Sequence, residues 1–188
     1  FCGDQLPLPK PLPAVEEKVR RASPFRYRYC FNYCAFSYTL AFWDWAQWER
    51  MIDWMALNGI NMPLSVTGQE AVWMKVGRDL CLTDKQVKDF LVGPAYLPFG
   101  WMGCIDGWGG PLPDRWIESH LALQKKIVAR QRELGMRPVL QGFTGHAPAA
   151  LRQKFPQAKF HQVSPWCGFP ATCFVDPMDP LFARIGRA

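Results

Sequence analysis

Apolar positions along the chain switch between two periods. Trp45, Trp48, Ile52 and Met55 recur at +3, +4 and +3, which is one face of a helix over roughly residues 42–57. Asn58 and Gly59 close it, because glycine supplies a left-handed residue cheaply after a helix. The period then drops to two. Ile60, Met62, Leu64 and Val66 alternate with polar or small neighbours and predict a strand, weakened by Pro63. Thr67 and Gly68 break that strand, and residues 69–78 resume a helical pattern. Thr83 and Gln86 have the spacing of a capping box and open a helix to about Leu91, which Gly93-Pro94 stops. A longer helix is predicted over 114–134, with Ile117, Leu121, Gln124 and Val128 along its face and Gly135 at its end. A strand over 136–143 follows directly, and the aromatic-rich stretch 27–34, bounded by Pro24, also reads as a strand.

Two helix-to-strand passages with connections of two or three residues predict an alternating α/β fold with a parallel sheet. The two strand ends echo each other: Val66-Thr67-Gly68 leads into Gln69 and Glu70, and Phe143-Thr144-Gly145 leads into His146. In α/β folds such C-terminal strand ends carry the site. No Gly-x-Gly-x-x-Gly follows a strand, which disfavours dinucleotide binding. The expected architecture is therefore an incomplete (β/α)8 TIM barrel, the first three to four β/α units, since a whole barrel needs about 250 residues. Residues 6–13, where proline and leucine dominate, read as a stiff Pro-rich linker. Residues 1–24 are thus expected to be the end of an N-terminal domain and a linker, and 25–188 the front of the barrel. Residues 93–113 carry Gly, Pro and aromatics without periodicity, a long loop of the kind that is usually functional.

Composition narrows the function classes. The chain has 188 residues, is 49% hydrophobic and carries a net charge of +6. Its Lys and Arg residues are spread along the predicted helices rather than gathered in one block, so solvated helix faces are expected and nucleic acid is not. No apolar run reaches the length of a membrane span. The chain begins at Phe1, with no basic and apolar leader pattern, and its first residues read as a cut into a longer polypeptide. Seven cysteines include a Cys30/Cys34 pair with no second pair at metal-ligand spacing, so no metal is expected. Cys167 and Cys173 read either as the ends of a small disulfide loop or as free thiols.

Candidate chemistry is thin in carboxylates and rich in rings. Glu70, just past a strand, is a candidate acid or base, or else binds substrate, caps the next helix or holds a neighbouring loop. Asp44, Glu49 and Asp53 are placed on a helix, where a salt-bridged face near Arg50 is the expected role. Ser37 and Ser65 lack a nucleophile elbow, and Cys34 with His146 makes a Cys–His pair on residue type alone. Tyr33, Tyr38, Phe99, Trp101, Trp108 and Trp166 fall in predicted strand ends and loops. Rings there suit the C–H faces of sugars, with a few polar groups fixing orientation, and point to a carbohydrate pocket.

The stretches from Asn32 to Tyr38, Phe42 to Trp45, Ile52 to Asn61 and Thr67 to Trp73, then Gly93 to Leu97, Gly110 to Pro113, Gly135 to Leu140 and Gly145-His146, closely resemble the barrel domain of the α-N-acetylglucosaminidases, glycoside hydrolase family 89. They run in family order over roughly residues 25–182. The resemblance implies a retaining exo-glycosidase that removes terminal α-linked N-acetylglucosamine from glycans or glycosaminoglycans, using two glutamates and no metal or organic cofactor. It implies a sugar pocket built from Asn32, Cys34 and Tyr38 at the first strand end, Phe99 and Met102 on the long loop, and Trp166. The family commonly has Trp where Phe99 stands. The catalytic glutamates are expected beyond Ala188, so no residue here is assigned a reacting role. The resemblance further implies N- and C-terminal domains of the same chain outside this piece, and a secreted, periplasmic or lysosomal parent. The rival reading is a non-catalytic carbohydrate-binding relative or degenerate fragment, with no nucleic-acid or membrane partner in either case.

Overall fold

The computed structural model describes residues 10–11, 13–14 and 16–188. The proline-rich stretch 6–13, apart from Lys10, Pro11 and Pro13, lies outside them, as does Cys2. The fold is α/β. Strand β1 (Tyr29–Cys30) pairs in parallel with β2 (Met62–Pro63), with Tyr29 opposite Met62 and Cys30 opposite Pro63. A parallel bridge between Leu64 and Val139 adds a third segment beside β2. Between the first and second segments run helices α1 (Tyr33–Tyr38) and α2 (Trp45–Leu57). Between the second and third run α3 (Gln69–Asp79), α4 (Asp84–Phe90), α5 (Leu97–Trp101) and α6 (Asp114–Glu133). The chain finishes with α7 (Leu151–Lys154), an antiparallel hairpin of β3 (Phe160–Gln162) and β4 (Cys173–Val175), and α8 (Pro180–Arg187).

Local chemistry explains most boundaries and corrects several expectations. The strand expected over 27–34 stops at Cys30, because Phe31 turns to φ 75° and Asn32 caps α1 by accepting from the Ala35 amide at 3.0 Å. The helix expected from residue 42 starts at Trp45. Asp44 is its N-cap rather than a face residue and forms a reciprocal capping box with Gln47. The Thr83/Gln86 capping box opens α4 as expected. Of the strand expected over 136–143, the Arg137 and Val139 amides donate to the Asn61 and Pro63 carbonyls and Val139 bridges to Leu64, and no regular strand forms. The loop 93–113 holds a 3-10 turn (Pro94–Tyr96) and α5. On α6 the buried face is Ile117, Ile127 and Gln131, one notch round from the expected stripe, and Leu121 is exposed.

Two apolar clusters fill the interior. One gathers Phe36, Trp48, Ile52, Met55, Leu64 and Ile127 between α1, α2, the sheet and α6. The other gathers residues of α3, α4, the long loop, α7 and α8 around Val87, Leu91 and Leu151. Trp101 of α5 packs against both. A buried polar link ties sheet to helix: Ser65 Oγ donates to Gln131 Oε1 at 2.7 Å, and Gln124 Nε2 donates to the Ser65 carbonyl at 2.6 Å.

Candidate functional site

The two strand ends that echo in sequence converge in space. Residues after β2 and after Val139 line one cavity of about 210 Å³, with Glu70 and His146 on its wall and apolar groups of α3, α5 and α8 completing it. Both polar residues are almost fully buried, Glu70 at 1% and His146 at 5% exposure. Their side chains are already engaged. Glu70 Oε1 accepts from the Trp101 indole N–H at 3.0 Å, while its Oε2 has no hydrogen-bond partner among the described residues. His146 Nε2 lies 2.6 Å from Asp106 Oδ1, and its ring rests between Phe90 at 4.7 Å and Phe174 at 5.3 Å. Burial pushes the Glu70 carboxyl up to about 7, against the opposing pull of its own backbone hydrogen bond and the Trp101 donor.

These partners bear on the readings that residue type left open. Glu70 ties α3 to Trp101 of the long loop, and its carboxyl also takes a hydrogen bond from its own backbone. His146 pins the long loop through Asp106 and is not paired with Cys34, which lies exposed on α1. Asp53 takes Arg130 of α6 at 2.9 Å, so its bond reaches across to a second helix rather than along its own. Other helix cations are paired as well, Lys75 with Asp79 and Lys85 with Asp89 along their own helices, Arg78 with Asp84 and Lys88 with Asp114 across to the next. Cys167 and Cys173 are both free thiols: Cys173 is buried, with Arg152 Nε donating to its sulfur at 3.3 Å, and Cys167 is exposed. Among the described residues, no helix is long and apolar enough to cross a membrane, and no group of three or more His, Cys, Asp or Glu could hold a metal ion.

None of the six residues expected to bind sugar lines the cavity. Phe99 and Trp166 come together, with ring centroids 5.4 Å apart and planes tilted by 33°. Met102 caps α5 and is 40% exposed. Asn32, Cys34 and Tyr38 follow directly from the C-terminal end of β1, the last two as residues of α1. Asn32 is its N-cap and Tyr38, at its end, is 79% exposed. The link between the two groups is Trp101, which makes edge contacts to Phe36 at 5.6 Å and Tyr33 at 6.5 Å. Its carbonyl accepts from Gln141 Nε2 at 2.7 Å. Trp101 is thus held from α1, α3 and the segment after Val139 at once. Sequence reasoning singled it out only as one ring among several, because its partners are 31 and 40 residues away.

Comparison with known proteins gives consistent matches. Residues 28–188 match the TIM-barrel domain of α-N-acetylglucosaminidase. The chain is 46% identical to human α-N-acetylglucosaminidase over 190 aligned positions, covering 99% of this chain and 26% of the human protein. It superposes on a family 89 glycoside hydrolase from Clostridium perfringens in complex with 2-acetamido-1,2-dideoxynojirimycin, with TM-score 0.88 and 35% identity over 94% of this chain and 20% of that one. A doubly Glu-to-Gln substituted form of the Clostridium perfringens enzyme, in complex with its substrate GlcNAc-α-1,4-galactose, matches equally well, at TM-score 0.88 and 35% identity, again over 94% of this chain and 20% of that one. The chain therefore spans about a quarter of the human relative's length and a fifth of the bacterial one's.

Proposed function

The chain belongs to the α-N-acetylglucosaminidase family, glycoside hydrolase family 89, and from that premise we propose that it supplies the substrate-binding front of a retaining exo-glycosidase acting on terminal α-linked N-acetylglucosamine. In this reading residues 1–24 are the end of an N-terminal domain and a linker, and 25–188 are the first three to four units of a (β/α)8 barrel. Asn32, Cys34, Tyr38, Phe99, Met102 and Trp166 receive the sugar. The parent is secreted, periplasmic or lysosomal, and needs no cofactor.

The observation that carries this reading is the Phe99–Trp166 pair beside α5. Two rings in near contact, tilted by 33°, offer apolar surface to the C–H face of a pyranose, and Met102, 40% exposed, adds a soft thioether. The retaining mechanism needs two carboxyl groups about 5–5.5 Å apart, one attacking the anomeric carbon and one protonating the leaving oxygen. Glu70 is the one carboxyl on the cavity wall, and its indole bond commits it to Trp101. We therefore assign it no step in bond cleavage, and assign the two reacting glutamates to barrel strands outside this chain.

The full-length protein is expected to hydrolyse 4-nitrophenyl α-N-acetylglucosaminide, with Trp166→Ala lowering kcat/KM roughly tenfold through lost ring contact. A folded protein that binds N-acetylglucosamine but leaves the glycoside intact would replace the enzyme reading with that of a binding relative. Failure to bind the sugar at all would remove both.

A further inference from the structure

Upstream of β1 the chain carries cations that sugar binding does not use. Lys18, Arg20 and Arg21 stand in the order Lys-Val-Arg-Arg, followed by the small residues Ala22 and Ser23. From Lys18 to Trp43 the sequence has no acidic residue. The segment is bare as well as basic. Residues 16–27 are all exposed, Val19 at 72%, and residues 18–23 belong to no helix, strand or turn. Among the described residues, 16–22 make no hydrogen bond or ion pair. The first bonds that tie this part of the chain to the barrel come later. Asn61 Nδ2 donates to the Arg26 carbonyl at 2.9 Å, and the Arg28 amide donates to Asn61 Oδ1 at 2.8 Å.

An endoprotease reads its substrate in this form. A segment with unpaired amides and carbonyls can lie in the protease cleft as an added strand, with its side chains in pockets and no native structure to unfold first. Arg next to the bond, Arg second from it and Lys fourth from it give three cations to pockets lined by carboxylates, and an Arg fork can hold a carboxylate through two parallel bonds. The chain's other adjacent basic pair, Lys125-Lys126, is exposed too, but it lies inside α6, where helical bonds hold its backbone out of reach of a cleft.

We propose that Lys18–Arg21 is a processing site, cut after Arg21 by a serine endoprotease of the secretory route that is specific for paired basic residues, so that the barrel segment then begins at Ala22. This rests on the reading of the parent as secreted or lysosomal, which brings the two proteins together. The cut is a hydrolysis. The Arg21–Ala22 amide bond breaks, the hydroxyl of water joins the Arg21 carbonyl carbon to make a carboxyl, and its proton goes to the Ala22 nitrogen as a new α-amine. Both bonds to Asn61 lie beyond the cut and survive it.

The test treats the folded full-length protein with a purified subtilisin-like endoprotease specific for paired basic residues and reads new N-termini by mass spectrometry. Cleavage giving Ala22 is expected, with none at Lys125-Lys126. Arg21→Ala is expected to abolish it and Lys18→Ala to slow it about tenfold, the size of one lost charged contact. Neither side chain has a partner among the described residues, so both variants should melt as wild type does. No cut in the folded protein overturns the site. So does a cut at Arg21 that Lys18→Ala leaves equally fast, which would be the general lability of an exposed arginine. A second arm makes the full-length protein in mammalian cells. Recovery from medium or lysosomes with Ala22 first in wild type, and with the bond intact in Arg21→Ala, supports the site, and recovery of uncut wild type there overturns it. Protein that stays in the cytosol defeats the secreted or lysosomal reading instead, a result separate from loss of the site.

Discussion

The inner and outer faces of α5 meet opposite surroundings. Inward, Gly100 and Trp101 close the cavity, and every strong interaction there is a directed hydrogen bond or a buried ring contact. On the other side Met102 and Trp166 are exposed, and Phe99, half-buried, packs on Trp166 and on the edge of the core cluster around Val87 and Leu91 without such side-chain bonds. Directed bonds in low dielectric fix one geometry and penalise every other. Ring surfaces accept a ligand at little ordering cost, because few rotors are frozen. A five-residue helix with both kinds of contact can therefore convert rigidity on one side into a positioned surface on the other. The comparison predicts that inner-face substitutions act mainly on stability and outer-face substitutions mainly on binding.

The sharpest way to break this division is at Trp101 itself. Trp101→Ala removes a ring shared by both clusters and strands the Glu70 carboxyl, so a loss of about 3–5 kcal/mol is expected in denaturant unfolding. Sugar affinity should fall with it, since α5 loses its anchor. Unchanged stability would show that α5 is held by its outer contacts instead.

Glu70→Gln probes the same anchor through pH. The folded carboxyl sits at about 7, against an ordinary value of 4.5. Below the ordinary value the group is protonated in both states, and burial carries no charge penalty. As pH rises to 7 the unfolded chain ionises first, so the folded state loses stability, by about 3 kcal/mol in all. The Gln variant keeps an acceptor for the indole and cannot ionise. It is expected to match wild type near pH 4.5 and to exceed it at pH 8, measured by unfolding at both values. Parallel pH profiles would refute the buried-charge account. Asp106→Ala comes next in size. It leaves His146 without its partner and frees the long loop from the third segment, at a cost of about 1–3 kcal/mol readable as a lower Tm.

How much of this was readable in the sequence depends on how local the signal is. Helices α2, α3 and α6 carry their own period, α2 and α4 carry capping boxes, and the two Thr-Gly strand ends lead to one cavity. The α/β class followed from the order of those elements. By contrast, aromatic enrichment suggested a strand through Cys34, where a positive φ at Phe31 and an Asn32 cap make a helix. The three-residue strands β3 and β4 were missed, being too short for a periodic signal. The available cue was Cys167-Gly168 between Trp166 and Phe169, a two-residue turn with φ 49° and 82°. The separation between the cavity and the Phe99–Trp166 pair was out of reach for another reason. It depends on which way Trp101 turns, and that is decided by partners in α1, in α3 and beyond Val139.

The smallest expected effect tests the outer face alone. The family resemblance leads one to expect Trp where this chain has Phe99. Phe99→Trp enlarges the ring opposite Trp166 without touching Glu70, Gln141 or the cavity wall, none of which bonds Phe99. If outward groups act on binding, the variant should bind N-acetylglucosamine about two- to threefold tighter, since a larger ring face adds under 1 kcal/mol of contact. Its unfolding free energy should change by less than about 0.5 kcal/mol, as for other substitutions at partly exposed sites. Titration and denaturant unfolding on the same protein separate the two quantities. A tighter site at unchanged stability sets the outer face apart from the inner one. A stability change with no gain in affinity would mean that Phe99 belongs to the packed side of α5 and that the sugar surface begins only at Trp166.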